Sequence, residues 1–198
     1  MTLAVTPATP DDAVALAELF DREGSPCFCR YWHFAGTNKE WEARCAFDRD
    51  RSRDELVAAV RTRTVEGQGM VARTSARPGA IVGWLKLTPR AALSKLLARS
   101  PYQQLRGEGP APDVFAIGCL LIDPAERRRG VARALVEGGI ELARLRGARA
   151  IEAYPRDARE PLHDGEHWMG PRSLYDQLGF EAIHGDGGPY PVLRKSLS

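Results

Sequence analysis

The sequence has little of what marks an exported or membrane-bound chain. Its 198 residues contain no apolar run near the length of a transmembrane helix, and Met1-Thr2-Leu3-Ala4-Val5 lacks the basic and apolar regions of a signal peptide. Only four cysteines occur, and without an export signal they are typical of reduced thiols. We therefore expect a cytoplasmic protein without a membrane partner.

A strong net charge is also lacking, since the formal charge is only +2 at pH 7. This balance gives no general argument for nucleic acid as a partner. The two common nucleotide loops, G-x-x-x-x-G-K-S/T and G-x-G-x-x-G, are absent. Internal repeats and linkers are absent as well, and the length suits one core, which predicts a single domain over residues 1–198.

What the sequence contains is an interleaved order of strand and helix patterns, which predicts a mixed α/β fold. Strands are predicted at residues 3–7, 69–74, 80–87, 114–122 and 150–154, and near Ala182 and Val192. Helices are predicted at residues 11–22, 39–66 with a break near Asp50, 131–146 and 171–178, with a partly helical insertion at 89–109. Gly138-Gly139 inside the best helix predicts close contact between that helix and the sheet.

One turn carries most of the chemical information. A near-continuous apolar strand ends at Asp123-Pro124, and Arg127-Arg128-Arg129-Gly130-Val131-Ala132 leads into a helix. The first N–H groups of a helix lack intrahelical partners and lie at the positive end of its dipole. Gly130 lets a ligand approach the backbone, and arginines add charge-assisted bonds to phosphate oxygens. The pattern favours a pyrophosphate site over a merely solvated basic turn.

Two motifs resemble those of a known family. Arg127-x-x-Gly130-x-Ala132, after the strand Leu120-Leu121-Ile122-Asp123-Pro124, resembles the acetyl-CoA signature of the GNAT N-acetyltransferase superfamily. Downstream, Ser173-Leu174-Tyr175-Asp176-Gln177-Leu178-Gly179-Phe180-Glu181 is similar to its second signature. The resemblance covers roughly residues 114–181, and the N-terminal half agrees only in the order of its elements.

The resemblance implies a fold, a reaction and a donor site. The fold is three-layer mixed α/β, with a central, mostly antiparallel sheet and helices on both faces. The reaction is transfer of acetyl from acetyl-CoA, a co-substrate, to a primary amine of a small molecule or peptide by direct attack in a ternary complex. Backbone groups of Leu120 and Ile122 hold the pantetheine and thioester. The implied pyrophosphate residues are Arg127, Arg128, Arg129, Gly130, Val131, Ala132 and Arg133.

The resemblance also implies that Tyr175 is the general acid beside the thioester sulfur. A phenol with a pKa of about 10 can protonate the thiolate of a thiol with a pKa of about 8.5, and the Ile122 N–H can stabilise the oxyanion. Packing of a half-buried Tyr175 stays open. Glu152 is a candidate general base, with a surface-facing glutamate as the alternative. The loop after this strand is longer than in many relatives, so one pantetheine contact stays unassigned.

The acceptor is the least determined part of the site. Aromatics at residues 31–34 and acids at 157–166 suit a cationic, partly apolar amine, and protein N-termini, lysines, antibiotics and polyamines all fit that description. Glu166 or His167 is a candidate proton acceptor. The candidate acceptor contacts, which could equally be core residues, are Tyr31, Trp32 and His33.

Two histidine and cysteine groupings invite a metal interpretation. Cys27-x-Cys29 with His33 is too closely spaced for the usual zinc motif, which also needs four ligands. His163 and His167 have zincin spacing, but the glycine and polar residues around them disfavour a helix. We expect no metal.

Two alternatives to acetyl transfer remain open from the sequence. One is a non-catalytic acyl-CoA-binding module for regulation or interaction, and the other is a nucleic-acid-binding protein. The latter is disfavoured because no aromatics are interleaved with the arginines. Cys119 is expected to pack in its buried strand rather than to accept an acyl group. A homodimer is left open as a partner arrangement.

Overall fold

The computed structural model describes residues 2–109, 111–157 and 167–197, and within them a seven-stranded sheet has the order β1-β2-β3-β4-β5-β7-β6. Only the β4–β5 pair is parallel, and every other neighbouring pair is antiparallel. The strands are β1 Leu3–Pro7, β2 Gly69–Thr74, β3 Gly83–Pro89, β4 Val114–Ile122, β5 Ala150–Ala153, β6 Glu181–His184 and β7 Val192–Ser196.

Helices cover both faces of the sheet. One face packs against α5 and residues of α6 around Leu85, Ile117 and Leu135, and the other packs against α1 and α3 around Phe20, Leu56 and Trp84. This arrangement confirms the predicted three-layer α/β fold. The helices are α1 Ala13–Glu23, α2 Asn38–Phe47, α3 Arg49–Arg61, α4 Ser94–Ala98, α5 Val131–Leu145 and α6 Arg172–Gln177.

Most element boundaries follow the sequence pattern, with two corrections. The helical region predicted to reach Glu66 ends at Arg61, and its break falls at Asp48, between α2 and α3. The strand predicted from Ala80 begins at Gly83. In the part of the chain that the structure describes, no helix has both the length and the apolar character needed to span a bilayer.

The glycine pair of α5 lies directly against the sheet, as predicted. A Cβ on Gly139 would come within 2.6 Å of Leu85 Cδ2, and one on Gly138 within 2.9 Å of Val5 Cγ1. Their lack of side chains therefore lets α5 approach β1 and β3 closely, which fixes the position of its amino end.

A β-bulge interrupts β4 at Gly118. Cys119 pairs with Lys86 and Ile117 pairs with Leu87, so Gly118 is an extra residue on its strand. Ile117 and Leu120 both pack in the α5 layer. The bulge thus places Ile117 and Leu120 on the same face of the sheet, although they are three positions apart in β4.

Candidate active site

β4 extends beyond its parallel neighbour and leaves an open edge. Pairing joins Val114–Ala116 to Ala150–Glu152, whereas β4 continues to Ile122. The Leu120 N–H points away from β3 and donates to the Trp168 carbonyl over 2.8 Å. Because backbone directions alternate, the Ile122 N–H points to the same side. We call this open edge, from residue 117 to 122, the β4–β5 gap.

The amino end of α5 follows the gap. Gly130 is the N-cap residue, with φ of 82°, and no side chain of the described residues caps it. This left-handed conformation favours glycine. A Cβ on Gly130 would meet nothing within 4 Å, so the space beside the first N–H groups of α5 is open. Such an end suits a phosphate group.

Two of the turn's arginines are held by the protein's own acids. Arg127 forms an ion pair with Glu23 at the carboxyl end of α1, and its Nε lies 3.5 Å from the Ile122 carbonyl oxygen. Arg129 pairs with the buried Glu126 over 3.3 Å. These contacts fix the turn between β4 and α5 and partly neutralise the basic patch predicted from the sequence.

The other two arginines differ in whether their side chains bind groups of the protein itself. Arg133 donates to Gln177 Oε1 over 2.5 Å, which connects α5 to α6. Arg128 is exposed at a φ of 59°, and among the described residues its side chain has no hydrogen-bond or ion-pair partner. Arg128 therefore has the guanidinium most available to an incoming anion.

Tyr175 lies in the buried wall beside the gap. Its hydroxyl donates to the Met169 carbonyl over 2.6 Å. A Cβ on Gly170 would lie 2.6 Å from this hydroxyl and 3.1 Å from Leu120 Cδ2, which places the phenol close to the β4 edge. Burial raises the pKa of Tyr175, so the phenol keeps its proton across the physiological range. The side chain is buried rather than half-buried.

Glu152 is buried in an ion-pair network. Its carboxylate accepts from Arg90 Nη1 over 3.0 Å, Arg194 Nε over 2.9 Å and the Tyr154 hydroxyl over 2.5 Å. The side chains of Glu152 and Arg90 are both 0% exposed. The surface-facing alternative is therefore wrong. The donors that surround the buried carboxylate also disfavour the predicted role as general base, because both of its oxygens already accept hydrogen bonds from the protein.

The predicted acceptor contacts are largely structural in their observed positions. Trp32 is buried, and its Nε1 donates to the carbonyl of the bulge residue Gly118 over 2.5 Å. Its ring lies 5.4 Å from that of Trp168, and Tyr31 lies 4.9 Å from Trp32. The loop before α2 therefore packs beside the gap.

His33 contributes no titrating base to this loop. Its Nε2 is buried, without a hydrogen-bond partner among the described residues. Burial, together with the positive charges of Lys86 and Arg30, lowers the pKa of His33 to about 3. The imidazole is therefore neutral at physiological pH.

Cys119 packs in the α1–α3 layer, as expected, and its hydrogen bond with Cys29, together with burial, raises its pKa and keeps the thiol protonated. Within residues 2–109, 111–157 and 167–197, no three histidine, cysteine or acidic side chains are grouped to bind a metal. His163 and Glu166 lie outside the described residues. His167 is described, and its carbonyl accepts from the Gly170 N–H over 2.7 Å.

Sequence reasoning missed a pocket on the other side of Trp168. It lies between the 89–109 insertion, the end of β5 and the β6–β7 loop, elements that are distant in sequence. Neither hydrophobic periodicity nor a motif marks it, and its only signal is a scatter of tyrosines and arginines. The lining residues are Arg99, Tyr102, Tyr154, Arg156, Trp168, Met169 and Tyr190.

The parallel strand pair that opens into a gap and the glycine-capped helix beside it both lie within the match to one family model. The model of the Acetyltransferase (GNAT) family matches residues 14–180, most of the chain. The chain therefore belongs to the GNAT acetyltransferase family, which confirms the resemblance found in the sequence. Among curated proteins, none matches the sequence.

Several solved structures have a similar fold. The PaiA N-acetyltransferase of Thermoplasma acidophilum, in complex with coenzyme A, is 13% identical, with 99% of each chain covered and a TM-score of 0.57. YncA of Salmonella typhimurium, with its cofactor acetyl-CoA, is 16% identical over 100% of this chain and 95% of that chain, with a TM-score of 0.54. A GCN5-related N-acetyltransferase of Kribbella flavida is 22% identical over 98% of each chain, with a TM-score of 0.53. At these identities the likeness concerns the fold.

Proposed function

We propose that the protein transfers an acetyl group from acetyl-CoA to a primary amine by direct attack in a ternary complex. The observation that carries this proposal is the β4–β5 gap, where the Ile122 N–H faces an open edge between the amino end of α5 and Tyr175. Ile122, Val131 and Tyr175 belong to one packed cluster. This cluster suits an acyl-CoA whose pyrophosphate lies at the amino end of α5 and whose thioester lies along β4.

The donor is inferred from chemistry and from fold relatives. Coenzyme A is bound to the Thermoplasma relative and acetyl-CoA to the Salmonella relative. In this chain, the N–H groups that begin α5 and the guanidinium of Arg128 are the groups that suit a pyrophosphate. Because the Leu120 N–H is engaged by Trp168, the Ile122 N–H is assigned to the thioester oxygen.

The proposed reaction balances without a metal or a redox partner. The neutral amine nitrogen bonds to the thioester carbon, and the resulting oxyanion accepts a hydrogen bond from the Ile122 N–H. The carbon–sulfur bond then breaks, giving an amide and the thiol of CoA, while one proton of the amine moves to the sulfur. Tyr175 donates a hydrogen bond to the departing sulfur. Its raised pKa keeps that hydrogen in place at neutral pH.

Acetyl-CoA at about 100 times its Kd is expected to stabilise the protein by about 2.7 kcal/mol, roughly 5–10 °C in Tm. Gly130→Trp should abolish this shift, because the new side chain covers the first N–H groups of α5. Gly147→Trp is the matched control, since Gly147 has a φ of 74° at the other end of α5 and equally open space. Thermal melts with and without acetyl-CoA make the measurement.

The control separates the loss of acetyl-CoA binding from the loss of stability caused by backbone strain. Both variants carry a side chain at positive φ, which costs about 1–2 kcal/mol, but only Gly130→Trp should lose the acetyl-CoA shift. If wild-type protein shows neither a shift in Tm nor heat of binding in calorimetry, the proposed function is refuted.

A second candidate is a binding module without turnover, and one observation favours it. The Leu120 N–H and the Tyr175 hydroxyl are both engaged by carbonyls of the 168–169 segment, which occupies part of the gap. The two functions differ in CoA release. A panel of amines that yields thiol at rates above hydrolysis supports transfer, whereas acetyl-CoA binding with no thiol release supports the module.

We also propose that the protein works in the cytoplasm. Cys27, Cys29, Cys45 and Cys119 are free thiols, and free thiols accord with a reducing compartment. Cell fractionation followed by immunoblotting should find the protein with cytosolic markers. Its recovery with exported proteins would contradict this location.

A further inference from the structure

The pocket beyond Trp168 is separated from the β4–β5 gap by a single thin wall. It is a cavity of about 170 Å³, lined in part by Trp168 and Met169. The Trp168 carbonyl accepts from the Leu120 N–H, and the Met169 carbonyl accepts from the Tyr175 hydroxyl. The same two residues therefore line the pocket on one side and contact the proposed thioester site on the other. Trp168 and Met169 thus lie between a group bound here and the proposed acyl donor.

The pocket is positively charged. The Arg99 guanidinium carbon lies 5.8 Å from the centre of the Tyr102 ring and 5.7 Å from that of Tyr190. No carboxylate of the described residues pairs with Arg99. Arg156 brings a second guanidinium to the lining, and none of the described lining residues is acidic. An anionic group is the natural counterpart of such a site.

The neighbouring carboxylate of Glu152 does not neutralise Arg99. Glu152 lies beneath Tyr154, but its carboxylate is paired with Arg90 and Arg194. Tyr102 stays neutral, because burial raises its pKa to about 12. Among the described lining residues, the pocket therefore offers the Arg99 guanidinium and tyrosine hydroxyl groups to a ligand.

The aromatic cluster near Tyr31 is less suited to a cationic acceptor than the sequence suggested. Lys95 Nζ lies 5.1 Å from the centre of the Tyr31 ring and 5.0 Å from that of Phe34. Arg44 lies 5.5 Å from the Phe34 ring and 6.0 Å from the Trp41 ring. The protein's own cations thus already occupy these positions.

We propose that the acceptor is a small primary amine that also carries a carboxylate, bound in this pocket with its carboxylate on Arg99. This inference rests on the proposed acetyl transfer and names its substrate class. The tyrosine and tryptophan rings pack against the body of the ligand, and its amine faces the wall at Trp168. A volume of about 170 Å³ fits a molecule of amino-acid size, below the range of larger ligand pockets.

The test compares amines that differ only in the carboxylate. Common amino acids are assayed for acetyl-CoA-dependent thiol release, each beside its decarboxylated amine, such as phenylalanine beside phenethylamine. For the best acceptor, kcat/KM should be at least roughly tenfold higher with the carboxylate than without it, the value of about one charge-assisted hydrogen bond. Equal use of both members of every pair would overturn the inference.

Variants of Arg99 test whether the preference for amines with a carboxylate arises in this pocket. Arg99→Gln should bring the ratio of kcat/KM values within a pair close to one. Arg99→Lys should keep part of the ratio, because the charge remains while the planar stacking is lost. Arg61→Gln, which removes an exposed arginine of α3 outside the pocket, should keep the wild-type ratio. An unchanged ratio in Arg99→Gln would exclude this site.

A separate binding measurement keeps this inference distinct from the proposed function. Calorimetry is run with the best-binding amino acid and the protein saturated with CoA, which requires no turnover. If no amine supports thiol release, the proposed transfer fails, and the pocket is then judged by binding alone. Binding to wild type that is lost in Arg99→Gln supports the pocket, and no binding of any amino acid refutes it.

Discussion

Glu152→Ala is expected to lower the free energy of unfolding by about 3–5 kcal/mol, the usual cost of removing one partner of a buried ion pair. The change removes the carboxylate that Arg90, Arg194 and Tyr154 share. The guanidinium of Arg90 is then left buried, and among the described residues Glu108 is the one charged partner that it keeps. Urea unfolding followed by circular dichroism measures the difference.

The control for this loss is an exposed ion pair on α5. Glu141→Ala, which breaks the pair with Arg144, should change the free energy of unfolding by less than about 1 kcal/mol. Glu152→Gln tests the alternative role as general base, and it should keep acetyl transfer within about tenfold, since a lost general base typically costs about 100-fold or more. A larger loss of kcat in a stably folded Glu152→Gln protein would support Glu152 as the general base.

Tyr175→Phe is expected to lower kcat by about 100-fold while leaving acetyl-CoA affinity within a few-fold of wild type. The change removes only the hydroxyl that donates to the Met169 carbonyl. Single-turnover thiol release and calorimetry separate the two quantities. Phe180→Leu alters the ring that packs against Tyr175 at 5.3 Å without touching the hydroxyl. This control should lose stability but keep kcat within a few-fold.

The pH profile gives Tyr175 a second signature. Because burial raises its pKa, the protonated phenol persists as the pH rises, and kcat/KM should climb with deprotonation of the acceptor amine. No descending limb from this phenol is expected up to about pH 10. A descending limb near pH 8 that disappears in Tyr175→Phe would contradict the raised pKa.

The sequence predicted the elements whose signals are local. The apolar run 114–122 is a buried strand, and Gly179, with a φ of 75°, ends the helix before it as expected. The turn into α5 was also found, since Gly130 at positive φ and the helix start are encoded within a few residues. Such features depend on neighbours along the chain, which is why a single sequence reveals them.

The groups that the sequence did not predict depend on contacts between distant segments. Arg90 meets Glu152 across 62 positions, and Arg194 reaches it across 42. Along β5 the alternating pattern places Glu152 on one face of the strand but gives no indication that arginines from β7 and the 89–109 insertion will cover it. The pocket around Arg99 has the same origin, because each of its walls comes from a different element.

The extra residue Gly118 interrupts the alternation of side chains along β4. In a regular strand, residues an odd number of positions apart point to opposite faces, but Ile117 and Leu120 lie on the same face. With Gly118 present, the N–H groups of Leu120 and Ile122 face the open edge. Without this glycine, Ile117 and Cys119 would be adjacent and would still pair with Leu87 and Lys86, so Leu120 would keep its partner Leu85 and its direction. The change would remove the local bend and added twist that a bulge gives to a strand. The donor edge of β4 therefore depends on this one residue for its curvature rather than for the direction of its N–H groups.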